Sequence, residues 1–217
     1  MVSWLRGAFF LLVVRPLVLV GLGINLRHRE RLPAAGPAVV VANHNSHLDA
    51  LVLMTLFPHR LLPRLRPVAA ADYFLQGRWL AWFSQQVVGI IPLPREVKAG
   101  QGDPLRPLDE ALARGDILIL FPEGSRGDPE RLAAFKSGVA HLARRHAEVP
   151  FVPVFLHGLG KALPRGEYLP VPFFCDVFVG AELRWATGGA GGRSAFLAEL
   201  EARMRALAAE GSFPPWE

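Results

Sequence analysis

The chain is 217 residues long, with 51% of its residues apolar, 20% charged and a single cysteine, Cys175. These proportions exclude disorder, collagen or a coiled coil as the main state, and one cysteine excludes both an internal disulfide framework and a cysteine-rich zinc module. The net charge of +5 is unevenly placed: residues 1–70 carry eight Arg against Glu30 and Asp49, so the basic excess is N-terminal.

That excess is set among Leu, Val and Phe, a composition that suits an anionic membrane surface and argues against nucleic acid as a partner. The first predicted element is the apolar run from Gly7 to Asn25, interrupted by Arg15-Pro16. No small-x-small cleavage pattern follows before Arg27-His28-Arg29, which speaks against a signal peptide. For a spanning helix, the Leu, Ile, Val and Phe residues between Phe9 and Ile24 contribute roughly −4 to −7 kcal/mol on an insertion scale. Arg15 returns about +3 kcal/mol and the Gly, Pro and Asn residues take back more, leaving a small net. A Pro16 break would instead give two short helices of about 20 Å or less, too short for a bilayer core of about 30 Å. Such a pair dips into one leaflet, with Arg15 reaching the headgroups and Arg27, Arg29 and Arg31 meeting anionic lipid. This monotopic anchor, residues 1–32, is the preferred reading; a buried helical pair packed on the main domain is its alternative, and a single span stays open.

Pro33 to Pro37 reads as a linker, and residues 33–217 as the main domain. Ala38 to Ala42 is predicted as a buried strand, Leu48 to Phe57 as a helix, Pro67 to Ala71 as a short strand and Tyr73 to Gln86 as an amphipathic helix. Val87 to Leu93 follows as a strand, Leu105 to Arg114 as a helix closed by Gly115, and Asp116 to Phe121 as a strand. Phe135 to His146 reads as a helix, Pro150 to Leu156 as a strand and Phe173 to Val179 as a late strand. Phe196, Leu197, Leu200, Met204 and Leu207 recur at helical spacing, with Ser194 as the candidate N-cap. Alternating strands and helices predict an α/β fold with a mostly parallel central sheet flanked by helices.

Two polar segments follow directly on predicted strands, where ligands bind in such folds. In the first, Asn43-His44-Asn45-Ser46-His47-Leu48-Asp49, Ser46 and Asp49 have the spacing of a capping box that starts a helix at Ser46. A turn before Ser46 can fold His44 back onto Asp49, giving a general base and the carboxylate that fixes its tautomer, with the nucleophilic hydroxyl supplied by a substrate. Alternatively, Asp49 only caps the helix and His44 is an ordinary loop histidine. A metal is disfavoured, because Asn45 and Ala50 stand where a metallo-hydrolase cluster would need histidines.

The second segment is Phe121-Pro122-Glu123-Gly124-Ser125-Arg126-Gly127. Two glycines, a hydroxyl, a carboxylate and a guanidinium make a compact loop suited to a small polyol phosphate, with Arg126 able to pair bidentately with phosphate. The alternative is an ordinary turn between strand and helix. The Gly-Lys-Ser/Thr ending of a P-loop is absent.

The His44-x4-Asp49 block and Phe121 to Arg126 together resemble the His-x4-Asp and Phe-Pro-Glu-Gly-Thr/Ser-Arg blocks of glycerolipid acyltransferases, of the lysophosphatidate (1-acylglycerol-3-phosphate) acyltransferase kind. Gly89 to Arg95, Val152-Pro153-Val154 with Gly158, and Phe135-Lys136-Ser137-Gly138 are similar to further blocks of that family, in the same order. Pro94 departs from the acidic or polar residue often found there, and Ser125 stands for the commoner Thr. The resemblance implies that His44, oriented by Asp49, takes a proton from the 2-hydroxyl of lysophosphatidate as it attacks an acyl thioester of coenzyme A or acyl carrier protein. It implies that Arg95 and Arg126, with Lys136 as a third cation, meet the acceptor phosphate, and that Glu123, Gly124 and Ser125 complete the acceptor site. No resident cofactor and no metal are implied, and the expected location is the cytoplasmic face of the inner membrane. Another lysolipid acceptor, such as lyso-ornithine lipid, and a non-catalytic lipid-binding module are the other readings. Arg60, Arg64 and Arg66 could dock an acidic carrier protein or simply form a solvated basic face.

Overall fold

The computed structural model describes residues 2–46, 48–74, 77–94, 102–124, 132–162, 173–188, 191–211 and 213. Among them, seven strands form one sheet in the order β1-β7-β6-β2-β5-β3-β4. The strands are β1 Leu22–Arg27, β2 Ala38–Ala42, β3 Leu65–Ala70, β4 Ile91–Leu93, β5 Ile117–Leu120, β6 Phe151–His157 and β7 Phe173–Val179. Among the seven described strands, β6 and β7 pair antiparallel and every other pairing is parallel. The carboxyl ends of β2, β3, β4, β5 and β6 therefore lie at one end of the sheet.

All five residues of β2 are fully buried, as expected of a central strand covered on both faces. The two-residue period of the strand sorts its side chains into two cores. Val40 faces the core shared with Ile117, Ile119, Val152 and Val154, whereas Val39 and Val41 face the one shared with Leu118 and Leu120. The first core is closed by the N-terminal helix, by helix Asp49–Thr55 and by the helix over residues 78–88; the second by helices Arg106–Ala113, Gly138–Arg145 and Gly192–Glu210.

Several elements differ from the sequence expectation. Pro16 does not break the apolar run, which is helical from residue 2 to residue 21, about 30 Å at 1.5 Å per residue. A π-helical stretch at Phe10–Val14 precedes the proline, and the Arg15 N–H bonds the Phe10 carbonyl there. That wider turn absorbs the ladder position where Pro16 has no N–H to give. Residues 1–32 are expected as a membrane anchor, with packing on the main domain as the alternative. In the structure, Phe10, Val14, Val18 and Leu22 belong to the same core as β2, and Leu22–Arg27 is an edge strand paired with β7. Arg6 is buried, donating to the carbonyls of Leu65 at 2.7 Å and Val88 at 3.0 Å. The opposite side of this helix stays open and apolar, with Leu12, Leu19 and Val20 exposed. Val87 and Val88 close a helix instead of opening a strand, so β4 is shorter than expected. The C-terminal helix begins at Gly192, with Gly191 and not Ser194 in the capping position.

Candidate active site

The loop leaving β2 carries Asn43 to Ser46 to the carboxyl end of the sheet. Asn43 is fully buried and clamps β6 from both sides: its Nδ2 donates to the Leu156 carbonyl at 2.8 Å, and its Oδ1 accepts from the Leu156 N–H at 2.7 Å. Asn45 Nδ2 donates to the same carbonyl at 2.9 Å. Sequence reasoning missed this clamp, although two asparagines just past a fully apolar strand are groups that need buried partners.

The helix begins at Asp49, three residues later than the capping-box spacing suggests. Asp49 Oδ2 still accepts from the Ser46 N–H at 2.8 Å, which is one half of that box, and from the Asn45 N–H at 2.6 Å. These two bonds curl the loop back, so that His44 Nδ1 lies 2.9 Å from the same oxygen. A carboxylate can only accept, so Nδ1 carries the proton, and in the neutral ring Nε2 is then the nitrogen with the free lone pair. Asp49 is fully buried, while His44 is 22% exposed. Burial pushes the Asp49 carboxyl above its ordinary value, and the hydrogen bond from His44 opposes that push. The imidazole stacks on Phe121 with ring centroids 4.3 Å apart, a second constraint on its plane that the sequence did not reveal.

Phe121 leads the loop that leaves β5, and a turn bond from the Gly124 N–H to the Phe121 carbonyl at 3.1 Å folds it. Gly124 has φ +73°, and a Cβ built there would come within 2.6 Å of Lys136 Nζ. Only glycine lets the Lys136 side chain lie across this backbone. The Lys136 N–H bonds the Pro122 carbonyl at 2.8 Å, fixing the cation beside the loop. Glu123 is 5% exposed, and neither of its oxygens makes a well-formed hydrogen bond among the described residues. Burial pushes its carboxyl up to about 7, the Asp49 charge adds to the rise, and the His44 backbone amide works against it. Arg95, Ser125 and Arg126, and with them His47 and Gly127, lie outside the described residues.

The Glu123 carboxyl gives the fold a pH signature. It titrates near 4.5 in an unfolded chain and near 7 here, so its contribution to stability is whole below about 4.5 and is lost as pH rises through about 7. The melting temperature of the wild type is therefore expected to fall across that window relative to Glu123→Gln. Melting curves that run parallel at every pH would show that no raised carboxyl is present.

The basic residues Arg64 and Arg66 gather with Arg114 on the buried Asp116, at 3.5, 3.3 and 3.4 Å. Asp116 immediately precedes β5, so this cluster sits at the opposite end of the sheet from His44.

The family model described as Acyltransferase matches residues 23–157, a span that holds both polar loops. The chain is 33% identical over 145 residues to the chloroplastic 1-acyl-sn-glycerol-3-phosphate acyltransferase LPAT1 of Arabidopsis thaliana, covering 66% of this chain and 38% of that protein. It is 30% identical over 147 residues to 1-acyl-sn-glycerol-3-phosphate acyltransferase alpha of Mus musculus, covering 67% and 49%. The chain thus spans less than half the length of these curated relatives. Its fold matches the crystal structure of the 1-acyl-sn-glycerophosphate (LPA) acyltransferase PlsC from Thermotoga maritima with a TM-score of 0.74, over 98% of this chain and 81% of that one, at 18% identity. At that identity the likeness establishes the architecture.

Proposed function

The chain belongs to the acyltransferase family, and on that premise we propose that it moves an acyl group from a thioester to the 2-hydroxyl of 1-acyl-glycerol-3-phosphate, giving phosphatidate. The observation that carries the proposal is the His44–Asp49 pair: Nδ1 is committed to a buried carboxylate at 2.9 Å and Nε2 is left as an acceptor on a partly exposed ring. Nε2 takes the hydroxyl proton as the oxygen attacks the thioester carbon. The tetrahedral intermediate then expels the thiolate of coenzyme A or acyl carrier protein, which leaves with that proton. A C–O bond forms, a C–S bond breaks, and no acyl-enzyme is required. Asp49 stabilises the imidazolium while it exists.

The acceptor phosphate is assigned to Arg126 and Arg95, with Lys136 as a third cation and Gly124 and Ser125 as the loop backbone around it. Glu123 shapes that loop or meets a glycerol hydroxyl. Arg126→Ala is expected to raise the acceptor KM by about ten- to a hundredfold, the loss of a charge-assisted pair worth about 1.5–3 kcal/mol, and to leave the donor KM unchanged. An unchanged acceptor kcat/KM would remove the phosphate assignment.

The protein is also assigned to a membrane surface, on the cytoplasmic side where thioester donors are available. Support comes from the helix Trp4–Gly21, which is long and apolar enough to cross a bilayer yet presents one face to the domain and the other outward. Arg6, held on the carbonyl that opens β3 and on the one that closes the helix over 78–88, argues for a helix lying along the domain and dipping into one leaflet. The deciding experiment is an acylation assay of the purified protein in detergent, crossing acyl-CoA and acyl carrier protein donors with a panel of lysolipids. Lysophosphatidate is expected to be the preferred acceptor. Acylation of other lysolipids but not of lysophosphatidate would overturn the acceptor, and no acylation with any pair would overturn the activity.

A further inference from the structure

A second apolar surface lies outside both the site and the N-terminal helix. In the helix over residues 78–88, Trp79 is 83% exposed, and Leu80 and Trp82 are each 43% exposed. The two indoles meet edge to face with ring centroids 6.3 Å apart. Two tryptophans and a leucine turned to water within four consecutive residues are a poor surface for a soluble domain, and large apolar patches mark interaction sites.

The topology says where this patch points. The helix over 78–88 follows the carboxyl end of β3 and returns to the amino end of β4, so its first turn, with Trp79, is at the same end of the sheet as His44. The N-terminal helix runs the other way across the same face. It starts where Arg6 holds Leu65, the first residue of β3, and ends where Leu22 pairs with Phe173, beyond the carboxyl end of β6. The two helices touch, with Phe9 and Phe83 edge to face at 5.1 Å. Exposed Leu19 and Val20 thus stand on the β1 side of the site, and Trp79 and Trp82 stand on the β3–β4 side.

We propose that Trp79, Leu80 and Trp82 form a second membrane-inserting element which, with the outward face of the N-terminal helix, seats the mouth of the site on the bilayer from both flanks. The proposal rests on the membrane reading of the N-terminal helix and adds a contact to it. A lipid surface is the fitting occupant for three reasons. The helix that carries the patch packs on that N-terminal helix through Phe83 and Phe9. Indoles combine a broad apolar ring with one N–H, the chemistry that favours the headgroup boundary. Exposed Arg78 stands beside them, placed to meet lipid phosphate.

The test is co-sedimentation of the full-length protein with vesicles of phosphatidylcholine and phosphatidylglycerol, comparing Trp79→Ser/Trp82→Ser with Leu12→Gln/Leu19→Gln. Each pair is expected to lower partitioning about tenfold or more, equivalent to about 1.4 kcal/mol, without change in melting temperature. Loss with the leucine pair but not the tryptophan pair overturns the second contact and leaves the helix reading standing. No loss with either pair overturns both. Unchanged partitioning with a dimer that becomes monomeric in the tryptophan variant assigns the patch to a second copy of the chain and overturns the proposal. Quenching by brominated acyl chains gives an independent readout that needs only conservative changes: it should be stronger for the wild type than for Trp79→Phe/Trp82→Phe, and equal quenching overturns the second contact.

Discussion

His44→Ala is expected to lower kcat by about 10²–10⁴, the usual worth of a positioned general base, with much smaller changes in the KM of either substrate. The imidazole is held by the 2.9 Å bond to Asp49 on one side and by the Phe121 ring on its face, so its orientation is fixed before substrate arrives. Such a group contributes chiefly when the attacking hydroxyl loses its proton, which is why the loss should fall on kcat. His44→Gln keeps a polar side chain of similar reach but supplies no comparable base, and it should be as inactive as the alanine variant. The measurement is steady-state kinetics beside a melting curve; near-normal turnover in a folded His44→Ala protein would remove the imidazole from the mechanism.

For Asp49, two substitutions separate charge from architecture. An asparagine can put its amide oxygen where Oδ2 stands and keep accepting from His44, Asn45 and Ser46, while its NH2 takes the place of Oδ1, which has no hydrogen-bond partner among the described residues. Asp49→Asn therefore removes the negative charge that stabilises a transient imidazolium and leaves the loop folded, with an expected loss in kcat of about 10²–10⁴. Asp49→Ala takes away the acceptor as well. It removes the oxygen that accepts from the Asn45 and Ser46 N–H groups, at about 1–3 kcal/mol for each bond lost, and should show in the urea midpoint. Combining His44→Ala with Asp49→Asn should cost little more than the worse single change, because the two act as one unit. Additive losses in the double variant would mean that Asp49 works independently of His44.

Local chemistry made the meeting of His44 and Asp49 legible. His44 and Asp49 were readable because an apolar strand, a turn and a helix start follow one another within a dozen residues, which leaves few ways to fold. The unbroken apolar runs of β2 and β5 likewise announced strands buried on both faces. What could not be read depends on contacts distant in sequence. Leu22 to Arg27 looks like the tail of a hydrophobic run and becomes a strand only by pairing with β7, where Gly23 leaves room for the Phe174 ring that a Cβ would strike at 2.4 Å. Phe121 stacks on a histidine that is 77 positions away. Pro16 signalled a break by a rule that assumes an α-helical ladder, and the π turn before it changes that ladder.

The buried Arg6 guanidinium has a consequence for how such a protein can be handled. A leash of flexible chain would let the catalytic body drift above the lipid, and it could be trimmed to yield a water-soluble enzyme. Here the greasy helix is bolted to the start of one strand and the end of a neighbouring helix, and it continues into an edge of the sheet. Cutting it away would open the interior, so a soluble version calls for repainting the outer face with polar residues while every inward-facing one is kept.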